Sequence, residues 1–179
     1  MARPRSEQVC LSVTPYLHLV NRAVRKAWLA GIDPITKKDF SHRKQWVEDR
    51  ILMLSGCFTI DIAAYAVMSN HYHIVCRVDR ARAKSLTDLD VVQRWHQIYK
   101  GNALSQKYER GESLNLVEMD VLKVKISIWR ERLYDVSWFM RCLNEPIAKM
   151  ANKEDGCTGR FWEGRFKSQS LLDEQAVLT

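Results

Sequence analysis

The stretch from Cys57 to Val78 constrains the fold most. Cys57 to Met68 is rich in β-branched and aromatic residues, and Tyr72 to Val78 alternates, with Tyr72, Ile74, Cys76 and Val78 on one side. Between them Ser69-Asn70 supplies turn chemistry, so the two runs read as adjacent strands of an antiparallel sheet. An earlier segment, Tyr16-Leu-His-Leu-Val-Asn-Arg22, alternates in the same way, with Leu17, Leu19 and Asn21 on one face and His18, Val20 and Arg22 on the other. It reads as a first strand.

Helical spacing fills the gaps. Asp39 is placed to cap a helix whose apolar line runs through Phe40, Val47, Ile51 and Leu54 and stops at Gly56. Beyond Asp79 the pattern predicts a helix with Leu89, Val92, His96 and Tyr99 on one face. Gly101 to Asn115 reads as a polar connection. A second helix is expected from near Ser127, presenting Val136, Phe139, Met140 and Leu143, weakened by Pro146 and ended by Gly156 to Gly159. Arg160 to Ser168 then suits an exposed strand or loop. The order β-α-β-β-α-α-β is close to the ferredoxin-like arrangement, an α+β fold with an antiparallel sheet and helices packed on one face. The other sheet face is free for a ligand.

With 179 residues, four prolines and seven glycines, the chain reads as one domain over 1–179, with 80–137 a helical insertion or extended connection. Five scattered cysteines without a CxxC pair argue against a disulfide framework or a cysteine-rich zinc site, and Cys57 and Cys76 are expected in the core. No run is apolar enough for a membrane span or a secretory leader, so the expected location is the cytoplasm. Lysine and arginine total 28 against 21 acids, a net charge of +7, which favours a polyanionic partner.

The sharpest local feature is Asn70-His71-Tyr72-His73. On a strand, residues two apart project from the same face about 6.5 to 7 Å apart, so both imidazoles can converge on one cation. Two histidines leave most coordination positions open, which suits a hydrolytic or phosphoryl-transfer metal more than a closed structural zinc site. A bare His-x-His is equally compatible with surface polar residues. Arg77 on the same face, His18 and Arg22 on the first strand, and the basic charge of the chain favour a metal joined to an anion.

Three segments carry a family resemblance. Tyr16 to Arg22 looks like the first strand, Tyr65-Ala-Val-Met-Ser-Asn-His-Tyr-His-Ile-Val75 like the metal strand, and Gly159-Arg-Phe-Trp-Glu-Gly-Arg-Phe-Lys-Ser168 like the late Trp-x-x-Arg-Phe segment of the REP-associated tyrosine transposases, within the insertion-sequence-200-like group of HUH nucleases. The resemblance implies a single-stranded DNA endonuclease and strand transferase, with His71 and His73 holding Mg²⁺ or Mn²⁺. It also implies a tyrosine that attacks the scissile phosphate and forms a 5′-phosphotyrosine link. A phenol with a pKa near 10 is a poor nucleophile at neutral pH, which is why such chemistry needs the metal.

Two departures stand out. Tyr72 replaces the bulky aliphatic residue usual between the histidines and is expected to point into the core. The family's nucleophilic tyrosine follows the Trp-x-x-Arg-Phe segment on a helix, with the remaining metal ligand one turn on. Asp173-Glu174 looks like the start of that helix, so the expectation is a domain cut short at its C-terminal end with the nucleophile beyond Thr179. No catalytic residue is identified within the chain. Tyr134 is the candidate stand-in, with ordinary packing as its alternative.

Arg160, Trp162, Arg165, Phe166 and Lys167 interleave charge with rings, a pattern that suits backbone neutralisation and base stacking on single-stranded or hairpin DNA. The alternative is a strand with Phe161 and Phe166 facing the core and a solvated basic edge. Arg22 and Arg77 are expected to flank the metal, and Asn70 to orient a histidine or simply make the turn. Arg80, Arg82 and Lys84 could touch phosphate or form a solvated loop, and His42 and His96 read as structural or exposed. The competing function is a DNA-binding module of the same fold without catalysis. An amidohydrolase, where His-x-His also occurs, needs a barrel too long for this chain. A homodimer is compatible with the resemblance.

Overall fold

In the computed structural model, residues 13–24 and 27–172 are described. Four strands, β1 (Tyr16–Arg22), β2 (Ile60–Val67), β3 (His71–Val78) and β4 (Lys167–Ser170), form one antiparallel sheet in the order β2-β3-β1-β4. Helix α1 (His42–Cys57) crosses from β1 to β2, and these two strands flank β3. This is the split β-α-β of a ferredoxin-like α+β fold. The alternation decides the layers: Leu17, Leu19, Tyr72, Ile74 and Cys76 are fully buried under α1 and the long helix over Val136–Asp155, whereas His18, Val20, His71, His73 and Arg77 lie on the open face.

Between Asp79 and β4 the described residues form α2 (Arg80–Ser85), α3 (Asp88–His96), α4 (Ala103–Glu109), α5 (Leu116–Arg132) and α6 (Val136–Asp155). Helices α3 and α5 enclose a second apolar cluster, Val91, Val92, Trp95, Leu122, Ile126, Trp129 and Leu133, with Trp95 and Trp129 stacked at 5.6 Å. Trp138 packs against both clusters.

Several boundaries differ from the expectations. Helix α1 starts two residues later, because the Asp39 carboxylate accepts a hydrogen bond from Ser41 N (2.8 Å) and makes a turn ahead of the helix. Helix α3 buries Val91, Val92 and Trp95, leaving Leu89 and Tyr99 exposed. The helix expected from Ser127 is two helices, broken where Asp135 caps α6 through Ser137 N and Trp138 N. The polar connection contains α4, capped by Asn102.

Pro146 does not interrupt α6. The carbonyl it leaves without an amide partner, that of Cys142, accepts a hydrogen bond from Arg50 Nε (2.9 Å) on α1. The helix ends where Gly156 takes a left-handed conformation at φ +63°. Cys57, Cys76 and Cys142 are buried free thiols, and burial pushes Cys76 up to about 12. Among the described residues no helix is long and apolar enough to cross a membrane. The helix expected to begin at Asp173-Glu174 lies outside the described residues.

Candidate functional site

Strand register gathers the site. Across the open face Ala66, His73, Val20 and Lys167 form one row through all four strands, and His71 stands opposite Arg22 at the end of β1. Past β1 the chain is clamped to the segment before β4: Val24 N donates to Phe161 O (2.9 Å), and Glu163 N to Arg22 O (2.9 Å). These bonds raise a rim over the histidines. A cavity of about 490 Å³ results, walled by Val20, Asn21, Arg22, His71, His73, Glu163, Gly164, Arg165 and Lys167.

The turn before β3 is fixed from both sides. Its Ser69 carbonyl accepts from Leu29 N and Ala30 N, and its Asn70 carbonyl from Ala23 N. The Asn70 side-chain oxygen lies 2.7 Å from His71 Nδ1, so it accepts that proton and leaves His71 Nε2 as the free lone pair. The His71 and His73 rings are 5.0 Å apart, edge to face. His73 Nδ1 meets His18 Nε2 at 2.8 Å, the two rings nearly parallel at 18°. Partial burial, then His73 and Arg22, hold His71 below its ordinary value, and burial followed by His73 does the same for His18. Both shifts favour the neutral imidazole, the form that can ligate a metal.

These features fit a weakly closed divalent site: two imidazole donors on one face, with an outer partner on each ring. Among the described residues no three His, Cys, Asp or Glu side chains are grouped so as to enclose a metal.

The other sequence candidates divide. Arg22, Asn70, Arg165 and Lys167 lie at or beside the cavity. Arg77 shares the open face but is four residues along β3 from His73, and its Nη1 lies 3.3 Å from Asp61 and 3.2 Å from Asp79. Asp61 also holds Arg82 at 2.7 Å, so this end of the face is neutralised. Arg160 is exposed outside the cavity, its Nη1 3.4 Å from Glu163 O. Trp162 turns inward: its indole N–H donates to Asn144 O (2.9 Å) and its ring meets Tyr72 and Phe161 edge to face. Phe161 is buried, so the rings of this segment serve packing while its cations face out.

Tyr72 is fully buried and donates to Asn144 Oδ1 (2.6 Å), with burial pushing its hydroxyl far up. Tyr134 sits between α5 and α6, beside Arg80 at the far end of β3, and its hydroxyl donates to Glu131. No tyrosine among the described residues lines the cavity.

Sequence reasoning missed Glu163, the carboxylate in the cavity wall, and the contact of His18 with His73. The second follows from β1 and β3 pairing antiparallel once the register is known. A further histidine cluster has the geometry of a hydrolytic triad, with Ser105 Oγ 2.9 Å from His96 Nε2 and Glu109 2.5 Å from Nδ1. Ser105 is fully buried and its hydroxyl donates to Asn102 O, so the cluster is a clasp between α3 and α4.

No protein-family model matches this sequence, and no curated protein matches it. A solved structure of a REP-associated tyrosine transposase bound to a REP hairpin is similar to 99% of this chain and 67% of its own, at a TM-score of 0.49 and 12% identity.

Proposed function

We propose that the open sheet face binds single-stranded or hairpin DNA and, with a divalent ion on His71 and His73, cleaves and transfers a DNA strand in the manner of a tyrosine transposase. The observation that supports this reading is the convergence of two histidines, His71 and His73, and three cations, Arg22, Arg165 and Lys167, on one cavity. Cations around a metal-competent pair suit a phosphodiester, because phosphate oxygens satisfy both.

The residues have separable tasks. Arg22, Arg165 and Lys167 hold backbone phosphates along the rim. Asn70 keeps the proton of His71 on Nδ1, and His18 fixes the proton shared with His73. A divalent ion bound by the pair supplies Lewis-acid polarisation of a phosphate oxygen. Imidazole donors combined with oxygen ligands suit Mn²⁺ better than Mg²⁺.

A second reading, a DNA-binding module of the same fold without catalysis, is favoured by the lack of a cavity-lining tyrosine among the described residues. One assay separates them. The protein is incubated with a hairpin-bearing single-stranded oligonucleotide and Mn²⁺, and followed for cleavage and for a covalent protein–DNA adduct. Cleavage that disappears in His71→Ala and His73→Ala supports the nuclease. Binding without cleavage supports the module, and no binding at moderate salt overturns both.

A further inference from the structure

Helix α5 carries two apolar stripes. Leu122, Ile126 and Trp129, with Leu133 just beyond the helix, are buried in the second apolar cluster. Val117, Val121, Val124 and Ile128 repeat the same four-three-four spacing and are 73%, 50%, 61% and 40% exposed. At 3.6 residues per turn this second row spans about 60° of the helix and lies opposite the first. One stripe is enough to dock a helix in its own domain, and scattered exposed apolar residues are ordinary. A heptad-spaced row of four β-branched residues has the pattern of a coiled-coil seam, with Val121 and Ile128 at a and Val117 and Val124 at d.

The flanks of the row identify its occupant. Glu118 and Asp120 lie in the N-terminal half of α5 and Lys125 and Arg132 in the C-terminal half, with Lys123 just ahead of the midpoint at Val124. Glu131 is the exception, and the Tyr134 hydroxyl holds it. Glu118 makes a 3.8 Å contact with Lys107, and Asp120, Lys123 and Lys125 have no ion pair among the described residues. Such a helix complements its own reverse. In an antiparallel pair Val117 meets Ile128, Val121 meets Val124, and Glu118 comes beside Lys125 of the second copy, twice over by symmetry. The helix dipoles are then opposed as well.

We infer that α5 is an interface through which two copies of this chain pair antiparallel about a two-fold axis. The inference is independent of the DNA-directed reading, because α5 contributes no residue to the histidine cavity. A 17-residue helix is about 25 Å long, at the small end of stable interfaces, so the dimer dissociates on dilution.

Sedimentation velocity over a wide concentration range tests the inference. The wild-type protein should pass from monomer to dimer, while Val121→Asp combined with Val124→Asp should remain monomeric with an unchanged helical circular dichroism spectrum. Carbodiimide coupling of the dimer should join Lys125 to Glu118 of the second copy. A wild-type protein that is monomeric throughout, a dimer indifferent to the double substitution, or coupled peptides drawn only from other elements would each overturn it.

Discussion

His18 Nε2 and His73 Nδ1 lie 2.8 Å apart, joining β1 to β3 through side chains that the register sets on neighbouring strands of one face. Only one of these nitrogens carries the shared proton. When His73 donates it, His73 Nε2 is left as a lone pair for a metal; when His18 donates it, His73 is left with a proton where a ligand is needed. His18→Ala is therefore expected to weaken Mn²⁺ binding about tenfold, with His18→Gln retaining most of the affinity because its amide can still accept. Isothermal titration with Mn²⁺ in the absence of DNA checks this. Equal affinity for Ala and wild type would mean that His18 does not set that proton.

The cavity cations should appear in the salt dependence of DNA binding. Replacing Arg22, Arg165 and Lys167 together by Ala is expected to flatten the slope of log affinity against log salt by about 2, from roughly 0.7 per phosphate contact on a single strand. Arg77→Ala should change the slope little, since Asp61 and Asp79 already neutralise that guanidinium. Fluorescence anisotropy across a salt series distinguishes the two.

Arg43 is fully buried, with Nε 2.7 Å from Glu154, Nη2 2.5 Å from Asp155 and Nη1 donating to Trp28 O (2.7 Å). Arg43→Ala removes the buried partner of both carboxylates and leaves Glu154 only to His42 (3.0 Å) and Asp155 only to Lys38 (3.6 Å). It should cost about 3 kcal/mol, the low end for a broken buried pair because both acids are partly exposed. Urea denaturation reads the loss directly.

The same clasp predicts a pH dependence. Burial acts to raise the Glu154 carboxyl, but hydrogen bonds from Arg43 and His42 outweigh it and hold the group below its usual value of 4.5. A carboxyl depressed by folding adds stability that is complete above the unfolded value and is lost as pH falls through the lower, folded one. The stability gap between wild type and Glu154→Gln should therefore shrink on acidification from neutral pH to about 3. A gap that stays constant in urea titrations would mean that the clasp does not favour the ionised carboxyl.

Tyr72→Phe removes the bond to Asn144 and leaves that amide oxygen without its donor in the core. The expected cost is about 1–2 kcal/mol in denaturant unfolding, with Mn²⁺ affinity and DNA affinity unchanged. A selective loss of activity with unchanged stability would instead point to a chemical role for the hydroxyl.

Much of the sheet was legible because period-two alternation in β1 and β3 is a local signal that burial reinforces on every second residue. Strand β4 was harder, since only four residues pair and the basic-aromatic segment before it mixes inward rings with outward charge. The part of α5 before Ser127 was missed because its two apolar rows cancel any single stripe, and its buried row is recognisable only with α3 beside it. Pro146 looked like a weak point because the rescue of its orphan carbonyl comes from Arg50, 96 positions earlier in the chain, on another helix. In the site, the His71–His73 pair was visible as a motif. The neutralisation of Arg77 by Asp61 depended on β2–β3 pairing, and the entry of Glu163 into the cavity depended on the clamp between Arg22 and the segment before β4.

Trp138 belongs to both apolar clusters, touching Trp95 at 5.8 Å and carrying the Arg132 guanidinium 3.9 Å above its ring. The annex of α3 and α5 cannot peel from the sheet without exposing this ring and parting from the cluster that buries Phe139 and Met140 beside it. Heating should therefore melt sheet and annex in a single cooperative event, and Trp138→Ala should split that event into two.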